Sequence, residues 1–96
     1  MTYNLPDRVL KDIIAAAKKC GIETIILFGS RARGTHRERS DIDLAVRGGN
    51  FDEFYWIINE TAWSLLSFDI VEMDRGIPYE LEEELTKDGV VIYEKN

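Results

Sequence analysis

The segment "GSRARGTHRERSDIDLAV" (Gly29 to Val46) places two carboxylates, Asp41 and Asp43, one residue apart in a run that is otherwise apolar. They follow a Gly29-Ser30 pair after ten intervening residues. Side chains two apart on a strand face the same way, with Cβ atoms roughly 6–7 Å apart. Two uncompensated carboxylates at that spacing repel, and on a partly buried face the repulsion raises one pKa. A divalent cation turns the repulsion into ligation, and Mg²⁺ favours a few carboxylates together with a substrate's phosphate oxygens. A third acid, Asp69, sits between Phe68 and Ile70 in the apolar run "FDIVEM". A lone carboxylate there is costly. Pairing that run beside "DIDLAV" brings Asp69 against Asp41 and Asp43 and completes a three-carboxylate cup. Asp74 is the rival third acid, but it falls beyond the run beside Arg75 and Gly76 and reads as a solvated turn residue.

The turn ahead of the carboxylates carries the opposite charge. Gly29 permits a positive φ and close backbone approach, and Ser30 adds a hydroxyl beside exposed N–H groups. A short helix starting there would favour an anion further. The spacing fits neither the G-x-x-x-x-G-K-[ST] phosphate loop nor the dinucleotide G-x-G-x-x-G. Arg31, Arg33, Arg37 and Arg39 against Glu38 give +3 over residues 31–39, which leaves −9 for the rest of a chain of net charge −6. A small basic island in an acidic molecule points to a local anion site and argues against broad nucleic-acid binding. His36, the only histidine, reads as an exposed loop residue.

These groups need a scaffold. Asn4 is placed to cap a first helix with Pro6 in its first turn, and Leu5, Val9, Leu10, Ile13, Ile14 and Ala17 share one face until Gly21 stops it. "TIILF" (Thr24 to Phe28) is β-branched and apolar throughout, as a central strand covered on both sides requires. In "DIDLAV" (Asp41 to Val46) Ile42, Leu44 and Val46 face one way, and Asp41, Asp43 and Ala45 the other. Gly48 and Gly49 end that strand, and Asn50 with Glu53 opens a helix from about Phe51 to Leu66. On it Phe51, Phe54, Tyr55, Ile58, Ala62, Leu65 and Leu66 form the face toward the sheet. Trp56 and Trp63 lie on a flank suited to contact with a second copy or another protein. "FDIVEM" (Phe68 to Met73) is a third strand. Pro78 opens a last helix with Glu80, Glu82, Glu83 and Glu84 near its positive end, and "VVIY" (Val90 to Tyr93) is a fourth strand. The order α-β-turn-β-α-β-α-β implies an α/β (α+β) domain over residues 1–96, a mixed sheet of about four strands with helices packed on it.

The chain's 96 residues suit one domain with its own core. A single cysteine, Cys20, excludes an internal disulfide, fits a reducing cytoplasmic setting and reads as apolar packing at a helix end. No apolar run approaches the roughly 20 residues that span a bilayer, and the N-terminus lacks the order of a secretory signal.

Taken together, Gly29-Ser30, ten residues, and Asp41-x-Asp43 match G-S-x(10)-D-x-D, which resembles the signature of the DNA polymerase β-like nucleotidyltransferase superfamily. The longer "GSRARGTHRERSDIDLAV", with "FDIVEMD" and the terminal "GVVIYE", resembles its smallest branch, the minimal nucleotidyltransferases, over essentially the whole chain. The resemblance implies transfer of a nucleoside monophosphate, AMP from ATP in the first place, to an acceptor hydroxyl. In that scheme Asp41 and Asp43 bridge two Mg²⁺ ions and Asp69 completes the ion nearest the acceptor. Gly29 and Ser30 hold the β/γ-phosphates of the NTP, and Arg33, with Arg31 second, supplies charge to phosphates.

Larger relatives carry an added helical domain, so a core alone implies a protein acceptor docking directly or a second polypeptide completing the site. Minimal members pair with HEPN-type partners in toxin–antitoxin modules, and the resemblance therefore implies an antitoxin that adenylylates a toxin tyrosine. Two other classes stay open: an antitoxin that binds its toxin without catalysis, and a small-molecule transferase of the aminoglycoside-modifying kind. A homo-oligomer is also compatible with the sequence.

Overall fold

A computed structural model describes residues 5–34, 41–61 and 67–95. The elements run α1 (Asp7–Cys20), β1 (Thr24–Phe28), α2 (Ser30–Arg33), β2 (Ile42–Arg47), α3 (Phe51–Thr61), β3 (Phe68–Glu72), a 3₁₀ turn (Met73–Arg75), α4 (Tyr79–Asp88) and β4 (Val90–Glu94). The four strands form one mixed sheet in the order β3-β2-β1-β4. β1 is antiparallel to both β2 and β4, while β2 and β3 are parallel and joined across α3. The α/β architecture with about four strands is as the alternation of apolar runs implies.

Strand periodicity assigns the two faces of the sheet. Ile25 and Leu27 of β1 and Ile42, Leu44 and Val46 of β2 are fully buried against Val9, Ile13, Ala16 and Ala17 of α1 and Phe54 and Ile58 of α3. Each such side chain contributes roughly 1.5–3 kcal/mol of burial. The alternate residues face α4, where Phe28, Ala45 and Leu85 are buried among half-buried Ile26, Val71, Met73, Ile77 and Leu81. This second layer is thinner than the first. It leaves the beginning of β2 partly open, and the acidic residues lie there.

The element ends differ from expectation in physically simple ways. Pro6 sits just before α1 rather than in its first turn, at φ −58° and ψ 139°, and its carbonyl accepts the N–H of Leu10 at 3.0 Å. Proline's ring removes a donor, not an acceptor, so it can begin the ladder from outside. Asn4 lies outside the described residues. Gly21 stops α1 as expected, in the left-handed region at φ 69°. Asp41 falls just before β2, whose ladder toward β3 opens with the Ile42 N–H donating to the Ser67 carbonyl at 2.9 Å. Asn50 caps α3 as its spacing predicts, its Oδ1 accepting the Glu53 N–H at 3.1 Å.

Tyr55 is a correction. Placed on the buried sector by sequence, it is 47% exposed, and the buried face of α3 runs through Phe51, Phe54, Ile57 and Ile58 instead. One step along a helix turns about 100°, so a face centred on Phe54 and Ile58 carries Tyr55 to its margin. Trp56 is exposed, at 63%, over a shallow groove toward Asp12, Ala15, Ala16 and Lys19 of α1. Ala62, Trp63, Leu65 and Leu66 lie outside the described residues. Cys20 packs as a buried apolar residue, and burial with the nearby Glu53 carboxylate pushes its thiol above the usual value. Among the described residues no helix is long and apolar enough to cross a membrane.

Candidate active site

The sheet register brings the distant acids together. Asp43 lies opposite Asp69 on the parallel neighbour β3 and opposite Phe28 on the antiparallel neighbour β1. Phe28, Asp43 and Asp69 therefore form one row across three strands, all facing the α4 layer. Asp69 is exposed on an edge strand, Asp43 is half-buried, and Asp41 is exposed one pleat before it.

The row has an electrostatic consequence. The Asp43 carboxyl is pushed up from its ordinary 3.8 to about 6. Burial is the largest cause, the Asp69, Asp41 and Glu84 carboxylates add to it, and Arg33 opposes it. Crowded acids on a half-buried face thus behave as the sequence pattern requires.

The turn after β1 completes the floor. Gly29 adopts φ 76° and ψ −157°, a conformation open in practice to glycine alone. A methyl group there would collide with Oδ2 of Asp43 and lie 3.1 Å from its Cγ. Glycine is therefore what lets the backbone of the turn lie against the carboxylate. Ser30 begins α2, one helical turn long, which is anchored by buried Ala32 and by the Arg33 N–H donating to the Gly29 carbonyl at 3.2 Å.

The two arginines of α2 have different surroundings. Arg31 is 3% exposed, and burial lowers its pKa. It is the less accessible of the two arginines. Arg33 is 41% exposed, and its Nη1 donates to Glu84 Oε2 of α4 at 3.3 Å. His36, Arg37 and Arg39 lie outside the described residues.

Asp74, the rival third acid, is occupied elsewhere. Its Oδ2 accepts the Gly48 N–H at 2.7 Å, at the far end of β2 from Asp43. Five residues of strand put Asp43 and Gly48 roughly 16 Å apart. Asp74 thus ties the end of β2 to the 3₁₀ turn, a firmer role than a solvated turn residue.

Sequence reasoning missed Glu84, having taken "ELEEEL" as acids complementing a helix dipole. A signal was present: Leu81 and Leu85 mark the buried stripe of α4, and Glu84 is next to it on the helical wheel.

Asp41, Asp43 and Asp69 offer hard oxygen donors whose mutual repulsion a divalent cation relieves, so the residues fit Mg²⁺. Among the described residues no three such groups already converge on a metal position.

A glycine-serine turn against a carboxylate row, on a mixed sheet covered by helices, is the frame of a nucleotidyltransferase core. The chain belongs to the polymerase beta, nucleotidyltransferase family, whose model matches residues 11–96. A Methanocaldococcus jannaschii protein named for protein adenylyltransferase activity is 35% identical over 68 residues. That match covers 68% of this chain and 66% of the relative, just under two thirds of its length. Among solved structures, a chain of a toxin–antitoxin complex with AMP-PNP superimposes with a TM-score of 0.71 at 24% identity, covering 91% of this chain and 74% of that one. A chain from the complex of tri-AMPylated Shewanella oneidensis HEPN toxin with MNT antitoxin gives 0.63 at 17% identity, covering 93% and 72%. At these identities the likeness establishes the fold.

Proposed function

We propose that the protein is a cytoplasmic antitoxin that transfers AMP from ATP to a tyrosine hydroxyl of a HEPN-type toxin. The observation that carries this reading is the in-register Asp43–Asp69 pair beside Gly29, which sets an acidic row directly against the glycine-serine turn. The M. jannaschii relative's name and the HEPN complexes among the fold neighbours favour a protein acceptor.

Each residue then has a task. Gly29 and Ser30 hold the β- and γ-phosphates through backbone N–H groups and the serine hydroxyl, and Arg33 faces charge developing on the phosphates. Asp41, Asp43 and Asp69 would hold the Mg²⁺ ions, which when bound would supply Lewis acidity to the acceptor hydroxyl and charge neutralisation to the pyrophosphate. The acceptor oxygen bonds to the α-phosphorus, and the bridging α–β bond breaks. Pyrophosphate leaves with the electron pair, and the hydroxyl proton passes to water.

The test is incubation with Mg²⁺, ATP labelled at the α-phosphate and a HEPN-type toxin, read by intact-mass and peptide mass spectrometry. Label on a toxin tyrosine, with a mass gain of whole AMP units, is the expected result. A stable complex without transfer would show a non-catalytic antitoxin, and label appearing only in a parallel incubation with an aminoglycoside in place of the toxin would show a small-molecule enzyme. Either outcome overturns the proposal.

A further inference from the structure

Among the described residues Arg33 is an exposed cation beside the candidate site, and it has a long side chain with much rotamer freedom. Holding such a chain in one place costs about 1–2 kcal/mol of conformational entropy. In this structure it is not free to roam: its Nη1 meets Oε2 of Glu84 at 3.3 Å, across 51 residues of sequence. Only one edge of the guanidinium is used by that contact, and a guanidinium carries five N–H donors in a planar fork. The remaining donors of the fork are those that a phosphate oxygen would use. Glu84 itself is held by the helix that covers this face, since the next residue, Leu85, is buried against Phe28 and Ala45. Phe28 is the register neighbour of Asp43, so the packing that fixes Glu84 also fixes its distance from the acidic row.

We propose that Glu84 is the positioning residue of the nucleotide site, orienting Arg33 so that its remaining donors point toward the triphosphate bound at Gly29 and Ser30. This rests on the nucleotidyltransferase reading above. It also makes a prediction opposite in sign to simple charge counting. Removing a carboxylate from an anion site should by itself tighten nucleotide binding, because a like charge has gone. Removing a carboxylate that orients the binding arginine should weaken it.

A double-mutant cycle over Glu84→Gln and Arg33→Ala decides between them. Binding of Mg²⁺·AMP-PNP is measured by calorimetry, alongside kcat and KM for AMP transfer. Glu84 is on the surface of α4, at 35% side-chain exposure, and its amide variant should melt with the wild type. Glu84→Gln is expected to weaken nucleotide binding about 1.5–5-fold, the range of an exposed ion pair. Arg33→Ala weakens it more, and adding Glu84→Gln to Arg33→Ala produces no further loss. Tighter binding by Glu84→Gln overturns the proposal, as do losses that simply add. Wild-type protein that fails to bind Mg²⁺·AMP-PNP overturns the nucleotide site itself and the role of Glu84 with it. Wild-type binding with additive losses removes only the role of Glu84.

Discussion

Replacing Asp43 with Asn should yield a protein that is more stable and catalytically dead. The carboxyl of Asp43 is raised from 3.8 to about 6, so at neutral pH the folded chain holds an anion that its surroundings disfavour. A shift of that size corresponds to about 3 kcal/mol before screening. Asp43 is half-exposed, and water damps the interaction, which leaves about 1–2 kcal/mol of strain for Asn to relieve. For a domain of this size that is about 5–10 °C in melting temperature.

The sign with pH follows from proton linkage. Between pH 3.8 and about 6 the folded wild type binds more protons at this site than the unfolded chain, so its stability falls as pH rises through that window. The advantage of Asp43→Asn is therefore absent below about pH 4 and complete above about pH 7. Thermal melts across pH 3.5–8, with and without Mg²⁺, measure it. Added Mg²⁺ should raise the melting point of the wild type and leave the variant unchanged, because the variant lacks a proposed ligand of the ion. AMP transfer by the variant should fall at least about a hundredfold. A variant that is less stable at pH 7, or an advantage that persists at pH 3.5, would refute the electrostatic reasoning. Transfer within about tenfold of wild type would refute the metal-ligand reasoning.

Asp69→Asn should abolish transfer, whereas Asp74→Asn should retain it and cost about 1–2 kcal/mol in urea unfolding, since the Gly48 N–H loses a charged acceptor; the reverse pattern would exchange their roles. Gly29→Ala should lower stability by about 1–3 kcal/mol and transfer by more than about tenfold, because its φ of 76° is strained for alanine and the new methyl displaces the Asp43 carboxylate; wild-type kinetics would show that the turn is not part of the site. Phe54→Ala should cost about 3–5 kcal/mol and Trp56→Ala less than about 1, as one side chain is fully buried and the other largely exposed; comparable losses in chemical denaturation would place Trp56 in the core.

What could be read from sequence follows the range over which each physical signal acts. The strands "TIILF" and "DIDLAV" announce themselves by local pattern, and the pairing of Asp43 with Asp69 follows because a carboxylate among apolar residues needs company. Gly29 and Asn50 are legible for the same reason, since backbone geometry and capping are settled within a few residues. Tyr55 was misplaced because the orientation of α3 depends on how far it leans toward α1, which no helical wheel contains. The Arg33–Glu84 pair is harder still. It requires α4 to lie across the face of the sheet that carries Asp43, and only packing around Leu85 decides that. Asp74 escaped for a similar reason, as its partner is a backbone N–H exposed by the turn at Gly48.

The parallel register between β2 and β3 carries a further implication for what turnover reports. A slip of one residue would turn Asp69 to the opposite face, toward α1 and α3, and set Ile70 in the acidic row. A slip of two would keep the face but carry Asp69 roughly 7 Å along the strand, opposite Asp41 or Ala45. Under the proposed function, the acidic row is therefore assembled only in chains whose two strands pair in this register. If the row does the proposed chemistry, loss of turnover would report strand misalignment as well as loss of a catalytic group.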